Sequence, residues 1–80
     1  MPLFVLSHHH DAHECRSAFA AWKGFDSALR GEPAIASCVE GGHRAWWHVE
    51  APDTAAALAL LPPFVRERTE VERARAVRVP

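Results

Sequence analysis

Two rhythms of apolar and polar positions run along this chain. Residues 3–7 (Leu3, Phe4, Val5, Leu6, Ser7) are apolar on both sides of an extended segment, the pattern of a central strand covered on two faces. At Cys15 the rhythm changes. Cys15, Ala18, Phe19, Ala21 and Trp22 recur at three- and four-residue spacing, which lays one apolar stripe along a helix. Asp11 with Glu14 three residues on is a capping-box pair that starts this helix, and Gly24 is placed to stop it as a left-handed residue. Residues 25–33 carry the turn formers Asp26, Ser27, Gly31 and Pro33 and read as a loop; residues 34–39 read as a second strand. Gly41-Gly42 signals a two-residue hairpin, and residues 43–50 behind it alternate as a third strand. Ala45, Trp47 and Val49 take one face of that strand, and Arg44, Trp46, His48 and Glu50 the other. Asp53 caps a second helix over residues 55–61 with Leu58 and Leu61 as anchors, and Pro62-Pro63 ends it. Residues 64–69 form a connector whose Phe64 and Val65 tuck beneath the sheet, and residues 71–79 form the last strand, with Val71, Val77 and Val79 on one face.

This is one domain, residues 1–80, of the α+β class. The element order is β-α-β-β-α-β, the ferredoxin-like arrangement: a four-stranded antiparallel-type sheet with two helices on one face. The reading places the first and third strands side by side and parallel, so that their carboxyl ends bring His48 and Glu50 towards His8, His9 and His10. It also leaves one sheet face uncovered, with Trp46 on it. An identical chain packed face to face in a two-fold dimer is the economical cover.

Composition narrows the function. Eighty residues with 49% hydrophobic content make a small globular chain, one that buries only about 60% of its unfolded surface and benefits from a supplement to its core. The net charge of -1 argues against a nucleic-acid partner. The arginines at 66, 68, 73, 75 and 78 are interleaved with Glu67, Glu70 and Glu72, a solvated ladder. No apolar run is long enough for a membrane span, and the short one after Met1 does not fit a signal peptide. The expectation is a cytoplasmic chain in which Cys15 and Cys38 are free thiols or ligands rather than a disulfide.

The chemistry concentrates between the first strand and the first helix, in His8, His9, His10, Asp11, Ala12, His13, Glu14 and Cys15: four imidazoles, two carboxylates and a thiol within eight residues. Residues i and i+2 on a strand share a face about 7 Å apart, so His8 and His10 can reach one ion. With the strands parallel, His48 supplies a third nitrogen, and His13 or Glu50 a further donor. Nitrogen donors with an open position suit nickel, zinc or copper, and a thiolate from Cys15 shifts the preference to softer ions. Two alternatives stand beside this. The junction can be a solvated loop, with Asp11 and Glu14 as caps and Cys15 a core thiol, while Cys38 falls at the opposite end of the sheet from Cys15. Or Trp46, Arg44, His48 and Glu50 can line a pocket for a planar organic ligand on the open face.

The strand order, the Leu-rich second helix broken by Pro62-Pro63 (LALLPPF) and the short final strand together resemble the dimeric α/β-barrel superfamily. That group includes muconolactone-isomerase-like and YciI-like proteins, antibiotic-biosynthesis monooxygenases and small nickel-binding proteins. The resemblance spans the chain and is one of architecture and spacing. It implies a homodimer with its sites in a cleft beside the open face. Two functions follow as expectations: a homodimeric transition-metal-binding protein using the His-rich junction, or a cofactor-free isomerase, cyclase or oxygenase with His48 or a junction His as general base. The number of donors favours the first.

Overall fold

The computed structural model describes residues Met1–Pro80. In chain order it contains β1 (Leu3–His9), a 3₁₀ turn (Ala12–Glu14), α1 (Cys15–Ala20), β2 (Ile35–Ala36), a second 3₁₀ turn (Cys38–Glu40), β3 (Arg44–Glu50), α2 (Thr54–Leu58), α3 (Pro63–Arg66) and β4 (Thr69–Ala74). The four strands form one sheet in the order β2-β3-β1-β4, antiparallel at every pairing. No helix is long and apolar enough to cross a membrane.

β1 is the axis of the sheet, hydrogen-bonded on both sides. Phe4, Leu6 and His8 are buried in alternation with half-buried Leu3, Val5 and Ser7. The buried face meets Val49 and Ala51 from the β3 side and Ala57, Leu61 and Val65 from the helical segments, and these residues with Phe4 and Leu6 make the core. Trp22 and Trp47, 5.9 Å apart between ring centroids, close it at the side. Asp53 caps α2 by accepting from the Ala56 amide at 2.8 Å, and Gly24 takes the left-handed conformation the sequence requires of it, at φ +73°.

Several expectations are corrected. The first and third strands are adjacent but antiparallel: Leu3 pairs with Glu50 and His9 with Arg44. The reason is connectivity. The segment carrying α1 returns the chain so that β2 runs in the direction of β1, with room for one strand between them. β3 is the return stroke after β2, so it opposes β2 and must also oppose β1 when it fills that gap. His48 therefore pairs with Val5 and Glu50 with Leu3. His48 lies about 10 Å from the His8 level along the strand.

Other differences are local. β2 shrinks to two residues because the chain curls into the 3₁₀ turn at Cys38, so Gly41 ends that turn at φ +86° and the two glycines do not make a two-residue hairpin. α1 stops at Ala20, leaving Phe19 67% exposed rather than on a buried stripe. α2 already stops at Leu58, with Ala59 as its C-cap, so Pro62-Pro63 does not end it; instead the pair opens α3, with Pro62 as the N-cap and Pro63 at the first helical position, where a missing amide costs nothing. β4 is shifted back to start at Thr69, and Val77 and Val79 lie outside it, largely exposed.

A candidate metal centre at one end of the sheet

The antiparallel order gathers four chain segments at one end of the sheet. β1 and β2 finish there, α1 begins just past β1, and β3 starts there after the second 3₁₀ turn. Each segment delivers one donor: His10 one residue beyond β1, Cys15 as the first residue of α1, Cys38 as the first residue of the turn after β2, and His43 immediately before β3. The ligand atoms of these four all lie within 4.8 Å of one another.

Local structure fixes each donor. The His10 amide donates to the His43 carbonyl at 3.1 Å, which extends the β1–β3 ladder by one rung and brings the two histidines together. His43 takes φ +54°, a left-handed conformation that turns the chain into β3. The Cys38–His43 segment is tied at its base: Gly42 N–H donates to the Ser37 carbonyl at 2.8 Å, and Arg44 N–H donates to Ser37 Oγ at 3.2 Å. Cys15 is positioned through Glu14, whose carboxylate accepts from the Asp11 amide at 3.0 Å and pairs with Arg68 at 2.9 Å. That first contact is the half of the expected capping box that anchors the junction. The Asp11 amide, then Arg68, hold the Glu14 pKa below its ordinary value. Arg68 in turn stacks on Phe64 at 3.7 Å.

Sulfur and nitrogen alternate around the site. Cys15 Sγ lies 3.2 Å from His10 Nε2, 3.1 Å from His43 Nδ1 and 3.6 Å from Cys38 Sγ, and Cys38 Sγ lies 3.1 Å from His10 Nε2. A tetrahedral zinc ion, with bonds of about 2.3 Å to sulfur and about 2.0–2.1 Å to nitrogen, separates its donors by about 3.8 Å for two sulfurs and about 3.6 Å for sulfur and nitrogen. The four contacts made by Cys15 and Cys38 need lengthen by only a few tenths of an ångström to take such an ion, and every pair of donors already lies within 4.8 Å. His10 is buried, whereas Cys15, Cys38 and His43 are half-buried, so the centre sits at the rim with a way in from solvent.

The electrostatics agree with this set of donors. Burial, and then the neighbouring His43, lowers the His10 pKa, which keeps the ring neutral and its lone pair free. Burial, then the adjacent Cys15 thiol, pushes the Cys38 thiol up, so a cation that binds there must displace its proton. Every buried side-chain nitrogen and oxygen has a hydrogen-bond partner.

The structure sorts the sequence-derived candidates. His10 and Cys15 belong to the four-donor group. His8 does not: it is 2% exposed and its Nε2 contacts His10 Nδ1 at 2.8 Å. His13 is exposed on the first 3₁₀ turn, His9 is exposed on the opposite sheet face from His8 and His10, and His48 is exposed at the Val5 level. Cys38, placed by the sequence reading at the far end of the sheet from Cys15, is beside it, because β1 and β2 run in the same direction. His43 is not among the sequence-derived candidates, and Cys38 is there only as a free thiol or ligand with no place in the site. The signal that points to them is a mirrored spacing, His10 five residues before Cys15 and Cys38 five residues before His43.

Two hollows adjoin the sheet. One of about 340 Å³ runs beneath Trp22 and Trp47 and ends against His8, His10 and Cys38. The other, about 540 Å³, is bordered by Trp46 and His48 together with Val5 and Ile35, while Arg44 stacks over Trp46 at 5.8 Å and, with Glu50, stays outside it. Comparison with known proteins finds no matching family model, no matching curated protein and no matching solved structure.

Proposed function

We propose that this protein is a small transition-metal-binding protein that holds one zinc ion per chain through His10, Cys15, Cys38 and His43. The observation that carries the reading is the convergence of two thiols and two imidazoles, from four separate segments, to within 4.8 Å of one another. A sulfur-and-nitrogen tetrahedron favours zinc over nickel or copper(II), which take tetragonal sites. Four protein donors close the coordination shell, and a closed shell suits holding an ion rather than activating a substrate. The rim position favours exchange of the ion with the outside, as sequestering or sensing requires.

The sheet order β2-β3-β1-β4 supports reading the fold as ferredoxin-like, and we extend that reading to a homodimer. The helical segments that build the core lie on one side of the sheet. The other side carries Leu3 and Val5 at its centre, Trp46 and Ile35 beside them, Arg44, His48 and Glu50 on β3 and Glu70 and Glu72 on β4. A second copy rotated about an axis along β1 sets β3 against β4 and buries the apolar centre between them.

The test is metal analysis of protein purified without an affinity tag or metal resin, stripped with chelator and reloaded from an equimolar mixture of zinc, nickel and copper salts. One zinc per chain is expected, and loss of binding in Cys38→Ala. Recovery of no stoichiometric metal, or of equal metal in Cys38→Ala, refutes the assignment; sedimentation of the same samples reads the dimer.

A further inference from the structure

We propose that His8, which is not a ligand, is the residue that fixes His10 in its metal-binding tautomer. The inference rests on the reading of His10, Cys15, Cys38 and His43 as a metal centre and adds to it a positioning residue.

A line of contacts fixes where the protons sit. His8 Nδ1 faces the Val65 carbonyl at 3.3 Å and Thr69 Oγ1 at 3.3 Å. The carbonyl can only accept. Thr69 Oγ1 already donates its own proton to that carbonyl at 2.6 Å, so it too is left to accept. Both partners therefore require a proton on His8 Nδ1. A neutral imidazole carries one N–H, so His8 Nε2 is an acceptor. Its partner at 2.8 Å, His10 Nδ1, must then be the donor. With its proton on Nδ1, neutral His10 has a bare lone pair on Nε2, the atom that lies 3.2 Å from Cys15 Sγ and 3.1 Å from Cys38 Sγ. The carbonyl of a residue in α3 thus sets which nitrogen of His10 can bind an ion.

Position strengthens the case. His8 and His10 are 2% and 4% exposed, so water does not offer either ring an alternative partner. The rings sit 5.0 Å apart at 45°, held by their places one alternation apart at the end of β1. His8 is further seated 6.4 Å from the Trp47 ring. Metal-bound histidines characteristically donate their second N–H to an oriented acceptor, and loss of that acceptor weakens metal binding about 10- to 100-fold. Here the acceptor is a second histidine, itself oriented by the backbone.

The experiment has two readouts. In ¹⁵N-labelled metal-free protein, two-bond ¹H–¹⁵N correlation should place the proton of His10 on Nδ1 and that of His8 on Nδ1. Chelator competition should show zinc binding about 10- to 100-fold weaker in His8→Leu, which fills the site without accepting, and largely restored in His8→Gln, whose amide can accept from His10 and donate to Val65. A His10 proton found on Nε2, equal zinc affinity in His8→Leu and the parent, or a His8→Gln variant no better than His8→Leu overturns the proposal. If His8→Leu fails to fold, shown by circular dichroism, the tautomer readout decides alone. Failure of the parent protein itself to take up zinc would refute the metal-centre reading instead, and the two failures are separable.

Discussion

Cys15→Ala is the sharpest perturbation, because Cys15 Sγ contacts all three of the other donors, at 3.1, 3.2 and 3.6 Å. Without metal the change should matter little. Cys15 is half-buried at the first residue of α1 and alanine has the higher helix propensity, so the metal-free variant should unfold within about 1 kcal/mol of the parent. With metal the difference is large. A ligand present at about 1,000 times its Kd stabilises the folded state by about 4.1 kcal/mol. In a domain of this size each kcal/mol shifts Tm by about 4–8 °C, so saturating zinc should raise the parent Tm by about 16–33 °C. Loss of a whole ligand weakens affinity at least as much as loss of an outer partner, about 100-fold, which removes about 2.7 kcal/mol of that stabilisation, or about 11–22 °C. The assay is thermal unfolding by circular dichroism at fixed free zinc set by a buffered chelator, parent and variant side by side, with and without metal. Equal zinc-dependent shifts in both proteins, or a variant that loses as much Tm without zinc as with it, would refute the assignment of Cys15 as a ligand.

Other outcomes follow from the same geometry. His13→Ala and His48→Ala, both at exposed imidazoles away from the four-donor group, should leave zinc affinity within twofold in chelator competition. Gly42→Ala should weaken zinc binding, since a Cβ there meets Ser37 Cβ at 2.8 Å and pushes on the base of the segment that carries Cys38 and His43; an unchanged affinity would show that the segment adjusts. Metal-free protein should lose stability on acidification. Burial, with the neighbouring imidazoles His43 and His10, lowers the pKa values of His8 and His10 below the ordinary 6.5, while Glu14 and Asp11 beside His10 act the other way. Below about pH 6.5 the unfolded chain therefore binds protons that the folded one refuses, the stabilisation being fully present above that pH and lost beneath it, by up to about 2.7 kcal/mol per pH unit for two protons. Urea unfolding across pH 5–8 measures this, and a flat profile would contradict it. Leu6→Ala, at a fully buried side chain in the middle of β1, should cost about 2–5 kcal/mol.

Local chemistry alone settled a good part of this molecule. The apolar run from Leu3 to Leu6 could be little other than a central strand, Asp53 a cap and Gly24 a left-handed residue, though four residues past the end of α1, because each depends on side-chain pattern or backbone sterics within a few residues. The same holds for the concentration of donors after β1, of which His10 and Cys15 are part of the centre. What the linear chain could not settle was direction. Whether β3 runs with or against β1 depends on how the α1 segment and the turn after β2 return the chain. One reversal there exchanges the His48 end of β3 for the His43 end and carries Cys38 across the length of the sheet to Cys15. The division of labour between His8 and His10 was likewise decided in three dimensions, by a carbonyl on α3, 57 residues along the chain, that claims one ring nitrogen and leaves the other histidine to face the thiols.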